Sequence, residues 1–188
     1  RNGDTYESAN ANATGSVIEA AAAAKVRRFL HMSQNGSDSK SPYRFLRSKG
    51  VAQDVVTTSG LDWTVLRPSV IFGREDEFVN LLARVVRLTP LVLPLPDSGR
   101  ALFQPIAVND VASVIARALG DDATHGQTYS LGGSAELTLR QMAERILVAM
   151  STHRAIIGIP STIMRPLVAA LWHLVPRPPV TTELLDIL

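Results

Sequence analysis

Two stretches decide the fold class: VRRFLHMS at 26–33 and DWTVLRPSVIFG at 62–73. Each is an apolar-rich run of strand length, and each ends on turn-forming residues: Ser33 in the first, Pro68 to Gly73 in the second. Between them, SQNGSDSKS at 33–41 is a polar loop with turn residues throughout. Ser41-Pro42 then opens a helix, with serine at the cap and proline in the first turn. This helix runs to about Thr58 and stops at Gly60. Strand, helix and strand in that order predict an α/β layered fold with a largely parallel sheet.

The alternation continues outward on both sides. Ala-rich Ser16–Lys25 is predicted to be a helix capped by Thr14, and Glu77–Leu88 is amphipathic and helical. PLVLPLP at 90–96 is expected to be a proline-punctuated loop, and Ala101–Val108 a short strand. Asn109–Leu119 follows as a helix that Asp110 could cap, and Gln127–Leu131 as a strand. Thr138-Leu-Arg-Gln141 has capping-box form and opens a helix to Met150. Ile156–Ile159 is a strand and Pro166–Leu174 a helix. The apolar segment Pro160–Leu174 either closes a lobe or touches a membrane or partner.

Composition removes whole classes of function. The chain has 188 residues, 46% of them hydrophobic, which gives enough apolar mass for a core and excludes intrinsic disorder. With no cysteine, thiolate metal sites, Fe–S clusters, disulfides and cysteine nucleophiles are excluded, which suits a cytoplasmic protein. A net charge of +2 without clustered Lys and Arg argues against a nucleic-acid surface. His31, His125, His153 and His173 are scattered without ligand spacing, so no metal site is expected. His31, inside a predicted strand, is expected at the edge of the core.

In open parallel sheets, ligands bind beyond the carboxyl ends of the strands. The positions to watch are therefore Ser33, the run Arg67-Pro68-Ser69-Val70 up to Gly73, and the stretch after Leu131. Ser33 could satisfy its own turn or face a ligand. Lys49 could be a solvated helix charge or a ligand group. Arg67 could contact a nucleotide or form a surface ion pair.

Six ordered motifs add a resemblance. Asn10-Ala-Asn-Ala-Thr14 is followed by the strand ending in Ser33, then Arg47-Ser-Lys49, then Leu66-Arg-Pro-Ser-Val-Ile-Phe-Gly73. Gln104-Pro-Ile-Ala-Val-Asn-Asp-Val-Ala112 and Gly126-Gln-Thr-Tyr-Ser-Leu-Gly-Gly133 complete the series. Together they resemble the later two-thirds of an extended or atypical short-chain dehydrogenase/reductase, of the NAD-dependent epimerase/dehydratase type. Within that superfamily the chain is most similar to the Rossmann-type accessory subunits of respiratory complex I and their bacterial homologues.

The resemblance implies a Rossmann-like sheet lacking its first strands. Residues 1–73 would belong to the dinucleotide-binding domain. Residues 74–188 would form a small substrate lobe, interleaved with late Rossmann elements at about 101–131. It implies NADP or NAD as cofactor, NADP being favoured, and a small-molecule or quinone-like substrate. It also implies contact with a respiratory complex, peripheral to the inner membrane. In role, Ser33 would polarise a substrate oxygen and Lys49 would hold the nicotinamide ribose. Arg67, Pro68, Ser69 and Val70 would wall the cofactor.

Two departures matter. No G-x-G-x-x-G occurs, so the phosphate-gripping turn is expected upstream of Arg1. The family's Tyr-x-x-x-Lys reads Phe45-Leu-Arg-Ser-Lys49 here, and phenylalanine has no proton to give. Tyr43 is the nearby phenol, six residues from Lys49, and would serve only if the helix begins after it. The function expected is an NAD(P)-binding reductase-like protein with weak or lost turnover, or else a non-catalytic nucleotide-bound subunit of a membrane-associated complex.

Overall fold

The computed structural model describes residues 5–166. Along the chain, a π-helical turn over Glu7–Asn12 leads into α1 (Ala13–Ala23), then β1 (Arg28–Met32), α2 (Arg44–Thr57), β2 (Asp62–Pro68) and β3 (Ile71–Phe72). There follow α3 (Phe78–Leu88), β4 (Val92–Pro96), β5 (Leu102–Phe103), β6 (Ile106–Ala107), α4 (Val108–Leu119), β7 (Gln127–Leu131), β8 (Leu137–Thr138), α5 (Leu139–Ala149) and β9 (Ala155–Ile159). The chain divides into two units: one through Ile71 together with Ile106–Gly132, the other Phe72–Pro105 with the residues from Gly133 on.

The first unit is built on a parallel three-stranded sheet in the order β1-β2-β7. Phe29 aligns with Trp63 and His31 with Val65. Strand alternation puts Phe29, Trp63 and Val65 on one face, where they pack against Ile18 of α1 and Val56 of α2. The opposite parity faces α4. There the Arg28 guanidinium donates to Ala118 O (2.7 Å), Thr64 Oγ1 (2.7 Å) and Thr124 Oγ1 (2.6 Å). Helices thus cover both faces, as a parallel sheet requires.

The second unit packs α3 and α5 on a two-stranded parallel sheet, β4-β9, around Val86, Leu93, Leu95, Leu139, Ala143 and Leu147. Gly158 on β9 lies so close to Ser98 that a Cβ there would stand 2.2 Å from its Oγ.

Several local expectations are corrected. Residues 92–96 form strand β4 rather than a loop. Pro94 and Pro96 alternate, so both missing N–H groups fall on one side and the other side stays free to pair with β9. Thr14 does not cap α1, because the helical path already begins before it and Asn12, at the cap position, is itself helical. The run 62–72 breaks after Pro68 into β2 and β3, and 101–108 divides into β5 and β6 around Gln104-Pro105. Asp110 lies in the first turn of α4 without a side-chain cap bond. The Thr138/Gln141 capping box forms as expected. Residues 161–166 are helical, and the remainder of the 166–174 expectation lies outside the described residues. No helix among the described residues is long and apolar enough to cross a membrane.

Candidate functional site

Ser33, Tyr43, Lys49, Arg67, Pro68, Ser69 and Val70 all fall in the first unit, at the carboxyl ends of β1 and β2 and on the first turns of α2, whereas Gly73 falls in the second. Three backbone bonds register the strand ends after the sheet proper stops. Ser33 N donates to Leu66 O (2.8 Å), Asn35 N to Pro68 O (2.9 Å) and Ser69 N to Leu131 O (2.8 Å). Residues 33–35 and 68–70 thus form one continuous rim, the position where open α/β sheets bind ligands.

Ser33 is 5% exposed, as is Ser37. Ser37 Oγ donates its single proton to Gln34 O at 2.6 Å. The 3.0 Å bond between the two hydroxyls therefore takes its proton from Ser33. Gln34 N also donates to Ser37 Oγ (3.2 Å), which completes a closed turn. Ser33 keeps lone pairs for a ligand, but its proton points inward.

Helix α2 begins at Arg44, so the Ser41-Pro42 opening comes two residues early; Ser41 Oγ instead accepts from Tyr43 N (3.2 Å). Tyr43 is the last residue before the helix, in extended conformation (φ −82°, ψ 118°), with 43% exposure. It thus stands off the helix, where its ring does not follow the helical spacing to Lys49.

Phe45 meets the ring of Tyr6 edge-on, with centroids 5.5 Å apart and planes at 72°. One turn on, Asn10 Nδ2 donates to Ser48 Oγ (3.0 Å), and Ser48 Oγ donates to Phe45 O (2.8 Å). The π-helical turn is therefore clasped to α2 at the position where the resembled enzymes carry their phenol. Lys49 is half-buried, and burial lowers its ammonium pKa from the ordinary 10.5. Among the described residues no carboxylate lies within ion-pair distance of it.

Arg67 is not a surface ion pair, because its Nε donates to Gln53 Oε1 of α2 at 2.7 Å. Pro68 is buried at the end of β2, and Ser69 and Val70 are half-buried beyond it. Gly50 decides how the loop and helix meet: a Cβ there would lie 2.2 Å from both Asp38 C and Ser39 N. Ser37, Gly50, Gln53, Ser48 and Tyr6 are the site-forming residues that sequence reasoning missed. The one available signal was the helix-interior glycine directly after Lys49.

The sequence model of a family described as NAD(P)H-binding matches residues 2–122. The chain belongs to that family. Among relatives of this NAD(P)H-binding chain is the rat mitochondrial NADH dehydrogenase [ubiquinone] 1 alpha subcomplex subunit 9. It is 33% identical over 180 residues, covering 95% of this chain and 47% of the relative. The Arabidopsis thaliana protein of the same name is 37% identical over 120 residues, covering 63% of this chain and 30% of the relative. The chain thus spans half or less of the length of these relatives. Among solved structures, it resembles the dTDP-glucose 4,6-dehydratase DesIV of Streptomyces venezuelae, solved with NAD and DAU bound. The TM-score is 0.69 at 22% identity, over 81% of this chain and 54% of that one. That likeness establishes the Rossmann-like fold of the epimerase/dehydratase enzymes.

Proposed function

We propose that this NAD(P)H-binding chain holds a nicotinamide nucleotide as a bound, non-reacting component of a respiratory NADH–ubiquinone oxidoreductase, at the membrane periphery. The observation that carries this reading is the proton inventory of the site. Phe45 stands where a phenol would be needed, and the proton of Ser33 is committed to Ser37. A site that gives no proton to a developing alkoxide forgoes roughly 10²–10⁴-fold in rate.

The same residues fit the nucleotide as a ligand. Lys49 offers a half-buried ammonium with no carboxylate partner among the described residues, suited to ribose hydroxyls. Arg67, fixed on Gln53, and Pro68, Ser69 and Val70 at the end of β2 supply a rigid wall. The nicotinamide group supplies hydride chemistry when bound; what these side chains do is bind and orient it. NADP is proposed over NAD.

Fluorescence titration of the natural full-length protein with NADPH and NADH tests the reading. Binding is expected, tighter for NADPH, with loss of affinity in Lys49→Met and no rapid turnover with carbonyl or quinone acceptors. No binding of either nucleotide at high micromolar concentration removes the proposal.

A second reading is favoured by one observation, the start of α2 at Arg44. It leaves Tyr43 free of the helix, as a phenol for slow hydride-transfer chemistry. Wild-type turnover that Tyr43→Phe abolishes would establish that reading against the first, and Phe45→Tyr would then add little.

A further inference from the structure

One polar group beside the proposed site is unexplained. Nε2 of His31 is buried and has no hydrogen-bond partner among the described residues. A buried polar group left without a partner is costly in a folded protein, so its retention calls for one.

His31 lies two residues before Ser33 on β1 and shares the strand face of Phe29, the face covered by α1 and α2. On α2, Lys49, Gln53 and Val56 are spaced i, i+4, i+7 and form one stripe. Val56 of that stripe packs with Val65, and Gln53 accepts from Arg67. The stripe therefore runs above the His31 face toward the carboxyl ends of the strands, and Lys49 is its next member. The two side chains sense each other. Burial first, and then the Lys49 charge, push the His31 pKa down to about 4, so the ring is neutral. A neutral imidazole has one lone pair to offer, and a lysine ammonium has three protons and no acceptor. Among the described residues, Lys49 is the charged group that acts on His31.

We propose that His31 is a positioning residue for Lys49: its Nε2 accepts a hydrogen bond from a water that the Lys49 ammonium donates to in turn, and this bridge holds that ammonium over the ribose site. The proposal rests on the nucleotide-site reading for its consequence, although the His31–Lys49 pair itself does not need it. His31 would touch no nucleotide.

The test follows Lys49 by carbon-13 reductive methylation and NMR titration of the full chain, in wild type, His31→Leu and His31→Gln. Leucine removes the acceptor, and the amide oxygen of glutamine restores one. In His31→Leu the Lys49 titration midpoint is expected to fall by about one pH unit, because an ammonium stripped of its acceptor is disfavoured where it is half-buried. The NADPH dissociation constant is expected to rise about tenfold, the scale of a hydrogen bond to a charged group. His31→Gln is expected to restore both. Should His31→Leu fail to fold, His31→Met is the second apolar replacement.

An unmoved Lys49 midpoint in the apolar variant overturns the proposal, and so does a glutamine variant that behaves like leucine. A wild-type chain that binds no nucleotide while its Lys49 midpoint still responds to His31→Leu upholds the pair. That outcome would overturn instead the function proposed above.

Discussion

Replacing Gly50 by alanine tests how the loop after Ser33 is held. The added Cβ would stand 2.2 Å from Asp38 C and from Ser39 N, and 2.8 Å from Asp38 Cα, where ordinary contacts begin at 3.4 Å. These are backbone atoms, so no rotamer change relieves the clash, and the loop must retreat by roughly an ångström. It is pinned where it would have to move: Asp38 N donates to Leu46 O (3.4 Å), and Arg47 donates to Ser41 O (3.2 Å). Overpacking costs about 1–3 kcal/mol, and one loosened hydrogen bond about 1 kcal/mol more. Against this, alanine gains about 1 kcal/mol over glycine inside a helix. The net loss is about 2 kcal/mol, or roughly 4–8 °C in melting temperature for a chain of this size. Gly15→Ala is the matched control, since it also lies in a helix but has nothing within 4 Å of its added Cβ. It is expected to gain up to about 1 kcal/mol. Urea and thermal unfolding of both variants measure the difference. Equal stability of Gly50→Ala and Gly15→Ala would refute the close approach of loop and helix.

Arg28→Lys is expected to destabilise by about 3 kcal/mol in denaturant unfolding, because one ammonium cannot replace a guanidinium that binds Asp62 O, Thr64, Ala118 O and Thr124 at once. The His31 pKa lies at about 4 against an ordinary 6.5, so the neutral ring contributes fully above pH 6.5 and its contribution is lost as pH falls toward 4. His31→Leu should flatten the stability–pH curve in that window, and an unchanged acid slope would count against a buried neutral imidazole. Thr138→Ala removes the side-chain half of the α5 capping box, the Oγ1 that accepts from Gln141 N, and is expected to cost about 1 kcal/mol with no change in the urea dependence.

The βαβ core was legible because its signals are local. The apolar runs at 26–33 and 62–73, and the capping box at Thr138, each depend on neighbours within a few residues. Strand β4 was not, because proline normally argues against a strand. Only the pairing with β9, a partner some sixty residues on, shows that the alternating prolines leave one edge intact. The helical start was misplaced for a similar reason. Thr14 reads as a cap from its neighbours, yet the helical path already begins upstream, where Asn10 donates to Ser48 of another helix.

The site itself divides along the same line. Residue identity at 45 was readable directly, and it removes the phenol. What Ser33 can do was not readable, because a hydroxyl's role depends on where its one proton goes. That is fixed by a chain of three groups: Gln34 O takes the proton of Ser37, so Ser37 must take the proton of Ser33. A serine at a strand end in a familiar motif therefore carries no presumption of acid catalysis; the residue four positions later decides it. By this argument Ser37→Ala releases the Ser33 proton toward the rim. Joined with Phe45→Tyr, it is the pair of changes that supplies proton donors to the proposed nucleotide site. Measurable carbonyl reduction by the double variant, absent from either single variant, would bear this out. Turnover by Ser37→Ala alone would show instead that the phenol position is dispensable.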